Sequence, residues 1–337
     1  MFRPLLAVAL VSGCSDYGLN RGNSGPDGKQ HDPEEQDPPT ETAVDSAPLA
    51  ETGDTVVPAE GVPEGRIDVV LIEDVAYFYD CYHADLAGET DALIDALFDS
   101  GADVAMSIAS YDDYQVDGEW FASTNGLPYV LEEQITTDES LLHTAAAGLS
   151  LEWGGDGPGS GLEALVQVAQ GHGYDQDCDA GWDAKTDIRP FATSSSDPFG
   201  GTVAGADDSA TPGTGSIGGV GFRKDSKRVI VLIAENTLRD ATEGHEVPTG
   251  TCPGIGTRDD AEHRMLDIGT KFLGVNAYEF QDIDPVLQQQ LEDLADTTSS
   301  HIDRDLDGAQ DDQAVLYGSW DWPPTEQLVQ AIWDLVD

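Results

Sequence analysis

Along residues 66–337, short apolar runs alternate with stretches of helical spacing. The run Ile67-Asp68-Val69-Val70-Leu71-Ile72-Glu73-Asp74 is mostly aliphatic and β-branched, and so short a run reads as a strand buried on both faces. Lys227-Arg228-Val229-Ile230-Val231-Leu232-Ile233-Ala234-Glu235 repeats the pattern, and both runs close on a carboxylate. Leu86, Leu93, Ile94, Leu97 and Phe98 predict a helix over 84–100, ended by Gly101. Residues 103–109 alternate as a strand, and 120–135 hold a weaker hairpin-like pair. The spacing predicts helices over 138–149, 162–170, 258–271 and 284–295, strands over 272–277 and 314–317, and a closing amphipathic helix over 325–336. Strands alternating with helices predict an α/β fold, a doubly wound, mostly parallel sheet with helices on both faces. In such sheets ligands bind just past the carboxyl ends of the strands, which draws attention to Asp74.

Two stretches break the pattern. Residues 171–222 are rich in Gly, Asp, Ser, Thr and Pro and read as an insertion with little regular structure. Residues 15–65 are acidic and Pro-rich, with too little to bury to offset the entropy of ordering, and read as a disordered tether. Ahead of them, Met1-Phe2-Arg3 and the apolar residues 5–11 form a leader too short to span a bilayer. Val11-Ser12-Gly13-Cys14 resembles the lipobox of bacterial lipoproteins, which implies cleavage before Cys14, a lipid anchor on its thiol and export to the cell envelope. Ser15 after it resembles the outer-membrane default. Of the three remaining thiols, Cys178 and Cys252 lie in polar Gly/Asp-rich sequence and are the expected disulfide, with Cys81 left over.

Composition narrows the partners. Lys and Arg number 15 against 65 Asp and Glu, a formal charge of −50. Such a surface repels nucleic acid and anionic lipid, so membrane contact is expected through the anchor alone, and the partner is a protein or a surface polymer.

The order of elements resembles the von Willebrand factor type A domain, in its integrin β-like bacterial variants. It rests on the strand ending in Asp74, the loop Gly154-Gly155-Asp156-Gly157-Pro158 entering a helix, the strand ending at Glu235, and the elements that follow. The resemblance implies a metal-ion-dependent adhesion site at the top of the sheet, where Asp74, Asp156 and Glu235 would face Mg²⁺ or Mn²⁺. The expected site is degenerate. Ala76 and Phe78 stand where ligand hydroxyls belong, and Gly159 stands at an acidic position. The turn residues Tyr77, Phe78, Tyr79 and Tyr82 either pack beneath the top loops or form an aromatic contact patch.

A second cation signal comes from residues 303–312. Asp303, Asp305 and Asp307 alternate, Gly308 allows a sharp turn, and Ala309 (through its carbonyl) and Asp311 follow at ligand spacing for Ca²⁺. The seven His show no metal-binding spacing, and Ser160 reads as a helix N-cap with Glu163 three residues on. The expected function is non-catalytic binding or adhesion by an anchored lipoprotein. The alternatives are a structural envelope lipoprotein and a metal-dependent hydrolase built on Asp74, Asp156 and Glu235, for which no general base is visible.

Overall fold

The computed structural model describes residues 63–76, 86–114, 127–150, 158–245, 254–277, 284–304, 308–318 and 323–337. All fall within one compact unit, Val57–Asp337. Cys14, residues 15–62 of the tether, the aromatic turn, Cys81, Asp156 and Cys252 lie outside the described residues.

In chain order the elements are β1 (Arg66–Asp74), α1 (Leu86–Asp99), β2 (Asp103–Tyr111), β3 (Val130–Thr136), α2 (Glu139–Ala146), α3 (Gly161–Gln170), β4 (Lys227–Ala234), α4 (Arg258–Ile268), β5 (Thr270–Asn276), α5 (Pro285–Thr297), β6 (His301–Ile302), β7 (Asp312–Gln313), β8 (Val315–Tyr317) and α6 (Thr325–Val336). Six strands form one sheet in the order β3-β2-β1-β4-β5-β8. All pairings are parallel except that of β3 with β2. This is the mixed α/β sheet that the periodicity predicts. Every residue of β1 after Arg66 is buried, as its unbroken apolar run requires. One helical layer contains α1 packed against α2 and α6, and the other contains α3, α4 and α5 in succession.

Local chemistry sets the boundaries. The expected helix over 258–271 ends early, at Ile268, because Gly269 takes the left-handed conformation (φ 64°) and the chain turns straight into β5. Its start is a capping box between Thr257 and Asp260. Ser160 does not cap α3. Its hydroxyl instead lies within hydrogen-bond reach of the carbonyls of Asp112 and Pro128, with one proton for the two, and Glu163 turns inward to accept from the Tyr114 hydroxyl (2.9 Å) and from Gly256 N (2.8 Å).

Residues 171–222 contain neither helix nor named strand, yet they are folded against the sheet. Ile135 N donates to Val220 O (2.8 Å) and Thr137 N to Pro212 O (2.9 Å), so the insertion satisfies donors on the open side of β3. Gln134 exchanges two hydrogen bonds with the backbone of Asp208. Edge strands left bare invite pairing with other chains, and here the insertion covers one. Its far end is fastened by Arg223, whose Nε donates to the fully buried Asp68 (2.6 Å) and whose Nη1 donates to Asp103 (2.6 Å).

Candidate functional site

Strands β2 and β3 follow β1 to one side of it, and β4 and β5 lie to the other. The order therefore reverses between β1 and β4, and the crevice past their carboxyl ends is where α/β sheets bind ligands. Asp74 and Glu235 stand there. Asp74 is 1% exposed, and both its oxygens are engaged. Oδ1 accepts from Ala76 N (3.1 Å), and Oδ2 lies 3.2 Å from both Glu235 N and the Tyr111 hydroxyl. Burial pushes its pKa up to about 7, against the pull of these hydrogen bonds and with a further push from the charge of Asp113. Glu73, pointing the other way from the strand, is fully buried and held well above the usual carboxylate range, with Thr90 donating to Oε1 at 3.3 Å.

The cation of this crevice is Arg239, whose side chain is completely buried. Nε and Nη2 grip the two oxygens of Asp113 at 2.9 and 2.6 Å, and Nη2 also donates to Pro158 O at 3.0 Å. Burial still lifts Asp113 to about 6, against the pull of Arg239. One guanidinium thus ties the end of β2, the loop entering α3 and the loop after β4.

The described residues do not fit the Mg²⁺ or Mn²⁺ that the resemblance implies. A hard divalent cation needs oxygens converging on open space. Asp74 is enclosed, Ala76 has no side-chain oxygen to offer, and Gly159 has no side chain. A Cβ added at Gly159 would lie 3.2 Å from the Tyr111 ring and 3.8 Å from Asp74 Oδ2. Tyr111 therefore fills the space that a ligand at position 159 would need.

The carboxylates that do converge lie in the insertion. Asp175, Asp177 and Asp187 place one ligand oxygen each within 4.8 Å of one another, with Asp175 and Asp187 buried and Asp177 exposed. The loop is the tip of a hairpin closed by an antiparallel bridge between Tyr174 and Ile188. Backbone donors hold the acids in place: Cys178 N and Ala180 N to Asp175 (2.8 and 2.9 Å), and Gln176 N and Asp183 N to Asp187 (3.1 and 2.7 Å). Cys178 and Ala180 adopt positive φ (61° and 60°), which turns the chain sharply at the hairpin tip. This group can hold a metal ion. Its signal is present in the chain, since Asp175, Asp177 and Asp179 alternate just as Asp303, Asp305 and Asp307 do. The irregular composition around it hides the spacing.

The second acidic loop has the same plan. Strands β6 and β7 pair antiparallel and close it. Asp303 Oδ2 accepts from Gly308 N (3.0 Å), and Gly308 takes positive φ (91°), as the expected sharp turn demands. Ala309 and Asp311 are exposed; Asp305 and Asp307 lie outside the described residues. Cys178 is disulfide-bonded, with its partner also outside them. No described helix is long and apolar enough to cross a membrane.

Neither a protein-family model nor a curated protein sequence matches the chain. Among solved structures, the proximal thread matrix protein 1 of the mussel byssus superposes with a TM-score of 0.38 at 8% identity. The match covers 82% of this chain and 46% of the mussel protein, so this chain spans less than half the length of that one. At that score the likeness carries no functional argument.

Proposed function

We propose that this protein is a lipid-anchored, extracytoplasmic binding module of von Willebrand A type, non-catalytic and braced by Ca²⁺. The observation that carries the reading is the convergence of Asp175, Asp177 and Asp187 on a folded hairpin tip. Three carboxylates packed this closely repel one another without a cation, and their hard oxygens on a loop of alternating acids suit Ca²⁺. Outside a cell, where Ca²⁺ is abundant, even a site with Kd ~10⁻⁴–10⁻³ M fills. Asp303 and its neighbours supply a second loop of the same spacing. The crevice over β1 and β4 supports a non-catalytic reading, because Asp74 is enclosed and its oxygens are occupied.

Elemental analysis of the purified full chain, with melting in EDTA and in excess Ca²⁺, tests the cation. Bound calcium and a higher melting temperature are expected; no bound calcium together with identical melts overturns it. Cys14→Ser tests the anchor, and is expected to move the protein from the membrane fraction to the soluble fraction.

A further inference from the structure

The insertion also shapes a half-open cavity of about 200 Å³ beside the flank of β3. Its walls come from Tyr129 and Leu131 on the β3 side and from Ile188 and Phe191 in the insertion, with Trp182 and Arg189 contributing from the surface. Trp182 is 45% exposed, unusual for so large an apolar ring, and the indole offers a flat wall to whatever enters. Arg189 spends only its Nε, on Ala204 O at 2.6 Å. Among the described residues no carboxylate pairs with it, although the chain carries 65 acids to 15 bases. Its terminal amino groups remain available as donors.

Size, charge and polarity together define the occupant. An apolar cavity of ~150 Å³ takes one benzene, so this one takes a single substituted six-membered ring. Asp187 also lines the cavity, and without a bound cation its negative charge disfavours an anion there. The field of a chain at −50 works further against an anion. A purely hydrocarbon ring would bring no acceptor for the guanidinium. A ring with an apolar C–H face and hydroxyls at its edge satisfies both sides. We propose that this cavity binds one neutral pyranose ring, its C–H face against Trp182 and its hydroxyl oxygens accepting from Arg189. The contacts to the ring come from Trp182 and Arg189, outside the acidic cluster, whereas Asp187 belongs to both sites, so the preference over glucuronate is read in EDTA.

Calorimetry and saturation-transfer NMR on the full chain test this, with D-glucose, D-galactose and N-acetyl-D-glucosamine as neutral probes and D-glucuronate as the charged one. At least one neutral sugar is expected to bind, with millimolar affinity and more tightly than glucuronate. Trp182→Ala and Arg189→Met are each expected to weaken it about tenfold. Both side chains are exposed, so unchanged circular dichroism and melting will show that the variants fold. The proposal is overturned if no neutral probe binds, if glucuronate binds more tightly, or if either variant retains full affinity.

Discussion

The Tyr111 hydroxyl lies 3.2 Å from Asp74 Oδ2 and 3.2 Å from the carbonyl oxygen of Ile233. A hydroxyl carries one proton, so it cannot serve both acceptors while Asp74 is ionised. With Asp74 protonated the chain resolves: the carboxyl donates to Tyr111, and Tyr111 donates to Ile233. This geometry and complete burial favour the neutral acid together.

Stability should therefore fall as the pH rises from about 4 to about 7. The Asp74 pKa rises from an ordinary 3.8 to about 7 on folding, so between those values the folded state binds the extra proton. A raised carboxyl pKa means that stability is lost as pH climbs through this window, and the loss is complete above it. At ~1.4 kcal/mol per pKa unit, the drop from pH 5 to pH 8 amounts to about 3 kcal/mol from this group. Asp74→Asn is neutral throughout and should flatten that part of the slope. Urea unfolding at the two pH values measures it, and equal slopes in both proteins would refute the assignment.

Arg239 and Asp113 form the ion pair of the same crevice, and neither is accessible to water. Removing one partner from a buried pair leaves an uncompensated charge and typically costs about 3–5 kcal/mol. Arg239→Met should fall in that range by urea denaturation, as should Asp113→Asn, which strands the guanidinium. The double variant should cost clearly less than the sum of the two. Additive losses would mean that the pair does not act as a unit.

How much of this was legible in the chain follows from the range of each interaction. The buried runs 67–74 and 227–235 announce their strands because a strand covered on both faces has little choice of residue. The end of α4 is also local, yet Gly269 outweighs an apparent periodicity that continues past it. The closed state of Asp74 is not local. It depends on Tyr111, 37 positions away, and on the backbone of Glu235, 161 positions away. Ser160 shows the same limit from the other side: its sequence fits a cap, but carbonyls brought in from Asp112 and Pro128 take its proton. The folded insertion was hidden for a related reason. Its order comes from Asp208, Pro212, Thr214 and Val220 bonding to the edge of β3, largely through their backbone, and a hydrophobic period cannot register such bonds.

That docking depends on one close backbone approach. A Cβ on Gly219 would lie 1.9 Å from Gln167 O and 2.5 Å from Gly171 Cα, both fixed by α3 and its cap. Gly219→Ala should thus push the insertion away, at about 1–3 kcal/mol for overpacking. Limited proteolysis should cut within residues 171–222 sooner than in the parent. Gly254→Ala, where an added Cβ meets nothing within 4 Å, is the control and should change stability by less than about 0.5 kcal/mol. Equal cleavage in the two variants would show that the insertion is held by other means.

The acidic hairpin tip predicts a change of sign. Two charges 4.8 Å apart repel by ~1 kcal/mol in water and by more near a protein surface. Asp177 is the exposed member and, among the described residues, accepts only from Asp179 N (3.1 Å), so Asn in its place disturbs little else. In EDTA, Asp177→Asn removes repulsion and should melt above the parent. At 10 mM Ca²⁺, a Kd of ~10⁻⁴–10⁻³ M adds about 1.4–2.7 kcal/mol to the parent, a rise of roughly 3–10 °C for a domain of this size. The variant, with one ligand weakened, should gain less, so the order of melting temperatures should reverse. Asp305→Asn reports separately on the second loop, and any calcium response that remains in Asp177→Asn but is lost in Asp305→Asn belongs there. If Asp177→Asn melts below the parent by the same margin in EDTA and in Ca²⁺, the aspartate serves the fold alone and the hairpin tip is not a cation site.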